Sequence, residues 1–446
     1  MKKVTIVGGG LVGSLLAAYM GERGFEVDVY ERRPDMRLAN ISAGKSINMA
    51  CSTRGWQALD KVGVGDKVRA AAIAMKGRMM HALDGELTFQ PYGQEGQAIY
   101  SISRGGLNKI LMSHAEEHPK VNFHFNQRCI DIDLDNAVAT FENYETKEIT
   151  TVDSDLIFGA DGAFSAVRSV MEHQKHFDYN QKYISSDYIE LSIDATPSGD
   201  FAMEKNALHI WPRGDFMLIA LPNPDASFTC TLFMPYEGET SFEQLKTDDD
   251  IVNFFKETFP DALELMPNLL QDFKDNPQSP LAIIKCFPWT ANGKVALIGD
   301  AAHAIVPFYG QGMIAGFEDC FVLDNLIEKF GDDWDTIMNE YQISRKPNGD
   351  AIADLAVYNY KVMRDKVGDA DFLLQKKLER RINQLYPEKY TPLYTMVSFS
   401  NTPYAEAYAK GVKQNERLEQ MVRENDIAAK FEDGTIDELI HSWYKD

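Results

Sequence analysis

Several features are scarce in this chain of 446 residues. Its five cysteines are scattered, with no spacing that indicates a metal site or a disulfide framework. Basic residues number 45 against 67 acidic ones, which gives a net charge of −22. After the N-terminal stretch, no part of the chain is apolar over enough residues to cross a bilayer. These scarcities exclude nucleic acid and anionic membranes as partners, and they predict a cytoplasmic protein with reduced thiols.

The composition is otherwise that of a folded protein. Hydrophobic residues make up 44% and aromatic residues 11% of the chain, well away from the values of disordered proteins. The length predicts two or three domains rather than one.

The first thirty residues carry the clearest motif. A β-branched run at residues 4–7 leads into Gly8-Gly9-Gly10-Leu11-Val12-Gly13. An apolar, helix-compatible stretch follows, and then a second strand that ends before Glu31. This order predicts the strand, glycine turn, helix and strand of a dinucleotide-binding unit.

Each position in the motif has a physical purpose. Gly8 permits the tight turn, Gly10 lets a pyrophosphate approach the backbone, and Gly13 lets helix and strand pack closely. The helix N-terminus offers free N–H groups to the phosphates. Glu31 stands where a carboxylate would accept hydrogen bonds from the adenosine ribose.

Two further loops follow predicted strands. Ala160-Asp161-Gly162 comes after a strand at 155–158, and Gly299-Asp300 comes after a strand at 294–298. Parallel sheets bind ligands at this edge, so the three loops should converge. Asp300 alone could equally be a helix cap. Since Gly310-Gln311-Gly312 then opens a helix whose dipole suits the flavin N1–C2=O edge, the loops together favour FAD.

The remaining pattern predicts an α/β fold in three parts. A Rossmann-like FAD-binding domain comprises residues 1–75, 99–176 and 281–330. A substrate domain with a mostly antiparallel sheet comprises 76–98 and 177–280, because two-periodic strands and a hairpin occur there. Residues 331–446 form a C-terminal helical region.

The three loops resemble those of the single-component flavin-dependent aromatic hydroxylases. Within that family, similarity to the kynurenine 3-monooxygenases rests on blocks at 30–34, 77–81, 206–212, 306–313 and 394–400. The resemblance implies a flavin site formed by Gly8, Gly10, Val12, Gly13, Tyr30, Glu31, Arg33, Ala50, Arg104, Asp161, Asp300, Gly312, Met313 and Ile314. It implies a substrate site formed by Arg78, Tyr92, Phe308, Gln311, Asn359, Met363 and Tyr394.

The resemblance also implies an activity. L-kynurenine would be hydroxylated to 3-hydroxy-L-kynurenine with NADPH and O₂, through a hydroperoxide of bound FAD, with NADPH binding transiently. No side chain acts as a catalytic acid or base, and no metal is required. Arg78 offers a bidentate fork for the substrate carboxylate. Two alternatives stay open: a hydroxylase of another aromatic acid, and a flavin-binding protein without turnover. We expect a homodimer.

Three details complete the predictions. A two-residue turn at Asp84-Gly85 would pair Arg78 with Pro91 and put Tyr92 on the opposite face, so a bulge near Pro91 is expected. Ile314 stands where the family usually has Asn, which puts one flavin contact in doubt. The charged C-terminus, in place of the apolar anchor of animal and fungal members, indicates a soluble form of bacterial type.

Overall fold

The fold is described from a computed structural model. The structure describes residues 2–38, 48–92, 96–365 and 370–444, with the side chains of 363–365 and 370 excepted.

The described residues form strands and helices in the following order. The strands are β1 (Lys3–Val7), β2 (Glu26–Tyr30), β3 (Met49–Cys51), β4 (Ile73–Met75), β5 (Gly77–His81), β6 (Leu87–Pro91), β7 (Ile99–Ile102), β8 (Val121–His124), β9 (Gln127–Asp133), β10 (Val138–Asn143), β11 (Ile149–Asp153), β12 (Leu156–Gly159), β13 (Asp178–Ile193), β14 (Ala207–Arg213), β15 (Phe216–Pro222), β16 (Phe228–Pro235), β17 (Ser279–Phe287), β18 (Thr290–Ala291) and β19 (Val295–Leu297). The helices are α1 (Leu11–Glu22), α2 (Thr53–Lys61), α3 (Gly65–Ala70), α4 (Arg104–Ala115), α5 (Ala166–Met171), α6 (Asp248–Thr258), α7 (Pro260–Leu263), α8 (Leu269–Asp275), α9 (Asp300–His303), α10 (Gly312–Phe330), α11 (Trp334–Asp365), α12 (Ala370–Leu385), α13 (Leu393–Ser398), α14 (Tyr404–Glu424), α15 (Ile427–Glu432) and α16 (Ile436–Tyr444), with short 3₁₀ turns at Phe242–Gln244 and Pro307–Tyr309.

The first sheet is the Rossmann-like one that the sequence predicts. Its strand order is β18-β19-β12-β1-β2-β8, and every pairing except β18 with β19 is parallel. The central strands β1 and β12 are almost fully buried, as expected where helices cover both faces of a parallel sheet. The carboxyl ends of β1, β12 and β19 therefore deliver the three glycine-containing loops to one edge.

The second sheet has seven strands in the order β17-β13-β16-β15-β14-β5-β6. All its pairings are antiparallel except that of β14 with β5, so the expectation of a mostly antiparallel sheet is confirmed. The expected boundary at residue 281 lies inside β17, which pairs with β13 along most of its length. The second sheet therefore extends to Phe287, a correction to the predicted division.

The β5–β6 hairpin corrects the predicted register. Arg78 faces Gln90 rather than Pro91, because the Ala82 N–H bonds to the Glu86 carbonyl and leaves three residues in the turn. Gly85 takes φ +87°, which a glycine adopts without strain. The pairing continues past Pro91, since the Tyr92 N–H donates to the Lys76 carbonyl at 3.2 Å. The expected bulge is absent from this hairpin, and Arg78 and Tyr92 share a face without it.

The C-terminal region is helical, as predicted. Helices α12 and α14 to α16 share a hydrophobic cluster of their own, while α11 and α13 pack on the cluster beside the second sheet. Over the described part of the chain, no helix combines the length and apolar character needed to cross a membrane. Trp211 lies fully buried within the second sheet.

Candidate active site

One cavity lies between the two sheets, and all three loops contribute to it. Its lining includes Gly10 and Val12 from the first loop, Ala160 and Gly162 from the second, and Asp300 from the third. Val12 also packs against the third loop, because a Cβ built on Gly299 would meet a Val12 methyl at 3.0 Å. The predicted convergence of the loops is therefore present in the structure.

The glycine turn leaves the start of α1 open toward the cavity. Gly8 has φ +104°, and a Cβ on it would lie 2.6 Å from the Ala160 carbonyl oxygen. A Cβ on Gly13 would lie 2.0 Å from the Gly8 carbonyl oxygen. A Cβ on Gly10 meets no atom within 4 Å, and Gly10 caps α1 without a side-chain hydrogen bond. The turn is thus tight on the protein side and open on the cavity side.

Glu31 bonds to the backbone of the glycine turn. Its Oε2 accepts the Gly9 N–H at 2.9 Å, and its Oε1 accepts the Nε–H of Arg33 at 2.7 Å. Burial would raise the pKa of Glu31, but these hydrogen bonds and the charge of Arg33 outweigh it and lower the pKa. Glu31 is therefore a carboxylate beside the turn. Tyr30 is directed elsewhere, since its ring stacks between His124 and Phe141.

Asp161 lies between two cavity-lining residues of the second loop. Its Oδ2 accepts the Ala166 N–H at 2.6 Å, while its buried Oδ1 has no hydrogen-bond partner within the described ranges. Burial raises the pKa of this carboxyl group. Asp161 therefore holds the start of α5 and keeps one acceptor available.

Asp300 projects into the cavity at the start of α9. Its side chain is exposed to the cavity, but protein surrounds the carboxyl group. This burial raises the pKa of the Asp300 carboxyl group, while the charges of His303 and Arg104 lower it. Arg104 also lines the cavity, at the first position of α4. The third loop thus presents a carboxylate with a guanidinium nearby.

A buried cluster of charged and polar side chains bonds to the third loop, Gly299-Asp300. Asp319 accepts the Gly299 N–H at 3.0 Å, the His303 Nε2–H at 2.6 Å and the Arg345 Nε–H at 2.6 Å. His303 is therefore a packed, hydrogen-bonded residue. Asp319 was missed from sequence, because it lies twenty residues beyond the loop that it supports.

The start of α10 contributes backbone and one side chain to the cavity. Gly312 and Met313 line it, together with Ala50 from β3. Ile314 does not belong to the lining; its side chain is fully buried in the core beside Gly55. The Asn-to-Ile departure therefore changes a core position in this chain rather than a side chain facing the cavity.

Arg78 lies among tyrosines at the other end of the cavity. Its guanidinium carbon is 5.3 Å from the ring centre of Tyr92 and 5.0 Å from that of Tyr394. Tyr394 stacks on both Tyr92 and Tyr309, at 5.5 and 5.6 Å. Burial alone would lower the pKa of Arg78, but the tyrosines raise it overall. Arg78 Nε and the Tyr92 hydroxyl are buried, and neither has a hydrogen-bond partner in the described part of the chain.

Two of the other predicted substrate residues line the cavity, and a third lies behind its wall. Phe308 and Gln311 line the cavity, and Gln311 accepts a hydrogen bond from the Tyr404 hydroxyl at 2.7 Å. Asn359 lies behind this wall and donates to the Phe308 carbonyl at 2.6 Å. The side chain of Met363 lies outside the described residues.

An apolar wall was missed from sequence. Met217, Ile219 and Leu221 alternate along β15 and line the cavity with Phe233 from β16. Their period of two could have identified the shared face, but the pattern is equally apolar on the opposite face, where Leu218 and Ala220 are buried. Tyr309 was also missed, although it follows the predicted Phe308.

The residues present fit a bound FAD. The open cradle at Gly10 and the Asp300 carboxyl group line the cavity, and the Asp161 oxygen that has no partner among the described residues belongs to the loop between the lining residues Ala160 and Gly162. These groups match the phosphate and hydroxyl groups of FAD. An uncapped helix start at Gly312 adds backbone donors.

Comparison with known proteins supports the same class. A family of FAD binding domains matches residues 1–356. Among solved structures, the tetrameric form of 2-methyl-3-hydroxypyridine-5-carboxylic acid oxygenase superimposes with a TM-score of 0.67 at 20% identity, over 84% of this chain and 95% of that one. A variant of Klebsiella pneumoniae HpxO complexed with FAD gives a TM-score of 0.67 at 18% identity, over 85% of this chain and 94% of that one. Family and fold define the class as that of FAD-binding proteins.

Curated relatives define the family within this class. Kynurenine 3-monooxygenase of Flavobacterium johnsoniae is 53% identical over 95% of both chains. The enzymes of Dictyostelium discoideum and Sus scrofa are each 46% identical, over 95% and 91% of this chain and 94% and 85% of their own. The chain belongs to the kynurenine 3-monooxygenase family.

Proposed function

We propose that the protein hydroxylates L-kynurenine to 3-hydroxy-L-kynurenine, with bound FAD, NADPH as reductant and O₂ as the source of the added oxygen. The reaction consumes one NADPH, one proton and one O₂, and it releases NADP⁺ and water. Bound FAD supplies the electron transfer and the oxygen chemistry. The observation that carries the proposal is Arg78, a buried cation whose Nε–H has no hydrogen-bond partner among the described residues, in the cavity to which the three glycine-containing loops also contribute.

We assign recognition of the amino-acid end to Arg78 and its tyrosines. A guanidinium binds a carboxylate with two parallel hydrogen bonds, and both are strong where water is excluded. The Tyr92 hydroxyl, buried without a partner among the described residues, would donate to the same carboxylate. This arrangement would hold the amino-acid end and leave the ring extending toward the flavin.

We assign the aromatic ring to the apolar wall of Met217, Ile219, Leu221 and Phe233, which Phe308 extends by packing against Phe233. Phe233 and Phe308 are 4.9 Å apart between ring centres. These side chains exclude water from the reacting carbon. That carbon, next to the aniline nitrogen, is electron-rich, so the protein needs to position it rather than activate it.

The flavin and substrate residues are proposed with these roles. Asp300, Arg104, Asp161 and the glycine turn would hold FAD, and Asn359 would orient Phe308 through its backbone. Glu31 would stabilise the turn through Gly9 and accept from the ribose.

The decisive experiment is product identification. Purified protein loaded with FAD is incubated with L-kynurenine, NADPH and isotope-labelled O₂, and the products are analysed by mass spectrometry. We expect 3-hydroxy-L-kynurenine with one labelled oxygen atom. A parallel reaction with 4-hydroxybenzoate should consume NADPH slowly and yield no hydroxylated product. Labelled product from 4-hydroxybenzoate alone would contradict the substrate assignment, and FAD binding without any product would contradict the activity.

We also propose a homodimer in the cytoplasm. All five cysteines are unpaired and buried, which suits a reducing compartment. The edge strand β6 exposes Leu87 and Phe89 beside Leu83, and such an uncharged edge can pair with a second copy. Light scattering after size-exclusion chromatography tests the dimer, and Phe89→Lys should shift it toward monomer.

A further inference from the structure

Two buried histidines beside the substrate hairpin have no role in the proposed reaction. His81 ends β5, three residues after Arg78, and His209 lies in the neighbouring strand β14. Both side chains are almost fully buried on the sheet face opposite the cavity, where Trp211 belongs to the core shared with the helices after β16. The paired strands are joined there by the side chains as well as by the backbone.

The side chains form a continuous line of hydrogen bonds. His209 Nε2 lies 2.8 Å from the Glu204 carbonyl oxygen, and His209 Nδ1 lies 2.8 Å from His81 Nε2. His81 Nδ1 lies 2.7 Å from Asp261 Oδ2. The Trp211 indole N–H donates to the same carboxylate at 2.8 and 3.0 Å, and its ring stacks on His81 at 3.9 Å.

Counting protons shows that His209, His81 and Asp261 together hold three protons along this line. A carbonyl oxygen only accepts, so His209 Nε2 must donate to Glu204. Three successive hydrogen bonds need three protons, whereas two neutral imidazoles supply two. With Asp261 ionised, the histidine pair therefore holds one extra proton.

The position of that charge follows from the surroundings. Burial lowers the pKa of His209 to about 4, so the neutral ring is the one bonded to Glu204. Burial would raise the pKa of Asp261, but hydrogen bonds from His81 and Trp211 lower it overall. The positive charge thus belongs on the ring next to the carboxylate.

We propose that His81 is held as an imidazolium between Asp261 and His209, and that this line of hydrogen bonds, called the histidine link below, fixes the position of Arg78. The positioning role rests on the proposed function, because it concerns the grip of Arg78 on the substrate carboxylate. Strand β5 attaches to the sheet only through β14 on one side, with the edge strand β6 on the other. The histidine link joins the end of β5 to the segment that contains Asp261, and Arg213 adds a hydrogen bond to the His81 carbonyl at 3.0 Å.

The first test measures the proton positions directly. Nitrogen NMR of ring-labelled histidine is recorded on the wild-type, FAD-loaded protein at neutral pH, and the His81 signals are assigned by their loss in His81→Gln. We expect both nitrogens of His81 to be protonated, and His209 to carry a proton on Nε2 alone. A bare nitrogen on His81 would overturn the proposal without any need for an active variant.

The second test separates positioning from general stability. Asp261→Asn and His81→Gln should raise the KM for L-kynurenine about tenfold to hundredfold, since small displacements of a binding group have effects of this size. FAD occupancy should stay unchanged, and kcat should change by no more than about twofold, because the flavin end is untouched. His114→Gln is the matched control: His114 is also buried, and its Nε2 bonds the Val62 carbonyl outside the second sheet.

The outcomes are distinguishable. If wild-type protein turns over L-kynurenine and Asp261→Asn leaves KM unchanged, the positioning role is wrong. If both variants lose FAD and kcat together, the histidine link is merely structural and the positioning role is again wrong. If wild-type protein does not bind L-kynurenine, the proposed function fails and takes the positioning role with it, while the NMR result still decides the charge on His81.

Discussion

Gly10 and Gly13 show how one residue type meets two different demands within a single turn. Gly13 is required by the protein itself, because its α-carbon faces the Gly8 carbonyl across a gap that no side chain fits. Gly10 has open space before it and lines the cavity. The packing of the fold therefore does not require a glycine at this position.

Alanine at these two positions should separate folding from cofactor binding. Gly13→Ala should destabilise the apoprotein by about 1–3 kcal/mol, because its Cβ would lie 2.0 Å from an oxygen. Gly10→Ala should leave the apoprotein melting temperature unchanged, since its φ of −76° suits alanine, yet weaken FAD binding. Thermal melts and fluorescence titration with FAD measure the two effects. Wild-type FAD affinity in Gly10→Ala would argue against the cradle.

Arg78 is the residue to which we assign recognition of the substrate carboxylate. Arg78→Met should raise the KM for L-kynurenine by the equivalent of about 2–5 kcal/mol, because a carboxylate would be buried without its partner. Arg78→Lys keeps the charge but loses the two parallel N–H donors, so its KM should lie between the values of wild type and Arg78→Met. FAD binding should not change in either variant. Arg69→Met, at an exposed arginine paired with Asp60, serves as the control, and equal effects at both positions would refute the assignment.

At the scale of elements, the hairpin shows that turn length decides which side chains face the cavity. Three residues in the turn rather than two move the pairing by one position, and that single step brings Tyr92 to the face of Arg78. The glycine at position 85 provides the left-handed conformation that this turn requires.

The same one-residue insertion should therefore have opposite results at two places in the hairpin. A glycine inserted after Leu83 lengthens an exposed turn, and the KM for L-kynurenine should remain within about twofold of wild type. A glycine inserted after Gln90 lies between paired residues and should turn Tyr92 away from Arg78, with a large rise in KM. Steady-state kinetics on both FAD-loaded variants compare them. Similar KM values for the two insertions would contradict the register.

At the scale of the whole molecule, Arg54 joins the C-terminal helical region to the flavin-binding part. This fully buried arginine donates to the carbonyls of Met396 and Thr402, pairs with Glu318 and stacks on Tyr404. The segment that it holds contains Tyr394, so the part of the cavity lined by Arg78 and Tyr394 depends on this attachment.

Removal of Arg54 should loosen that attachment. Arg54→Met is expected to cost about 3–5 kcal/mol of stability, because buried acceptors lose a charged donor. Limited proteolysis should then release the C-terminal region earlier than in wild type, and KM should rise. Arg381→Met, which removes a partly exposed pair with Asp437 inside the C-terminal region, should cost about 1 kcal/mol or less. Equal protease resistance of Arg54→Met and wild type would show that Arg54 does not hold the C-terminal helical region in place.

The division between local and long-range information explains which predictions held. Glycine turns, two-periodic strands and helix starts are local patterns, and from them the sequence alone determined the Rossmann-like sheet, the mostly antiparallel second sheet and the convergence of three loops on one edge. Registers and faces depend on a turn geometry and on packing partners from distant segments, so the shared face of Arg78 and Tyr92 and the burial of Ile314 emerged only in three dimensions. The same is true of the Asp319 cluster, of the apolar wall on β15, and of the line from Glu204 to Asp261. Each of these brings together side chains far apart in sequence, and only the folded chain sets their distances.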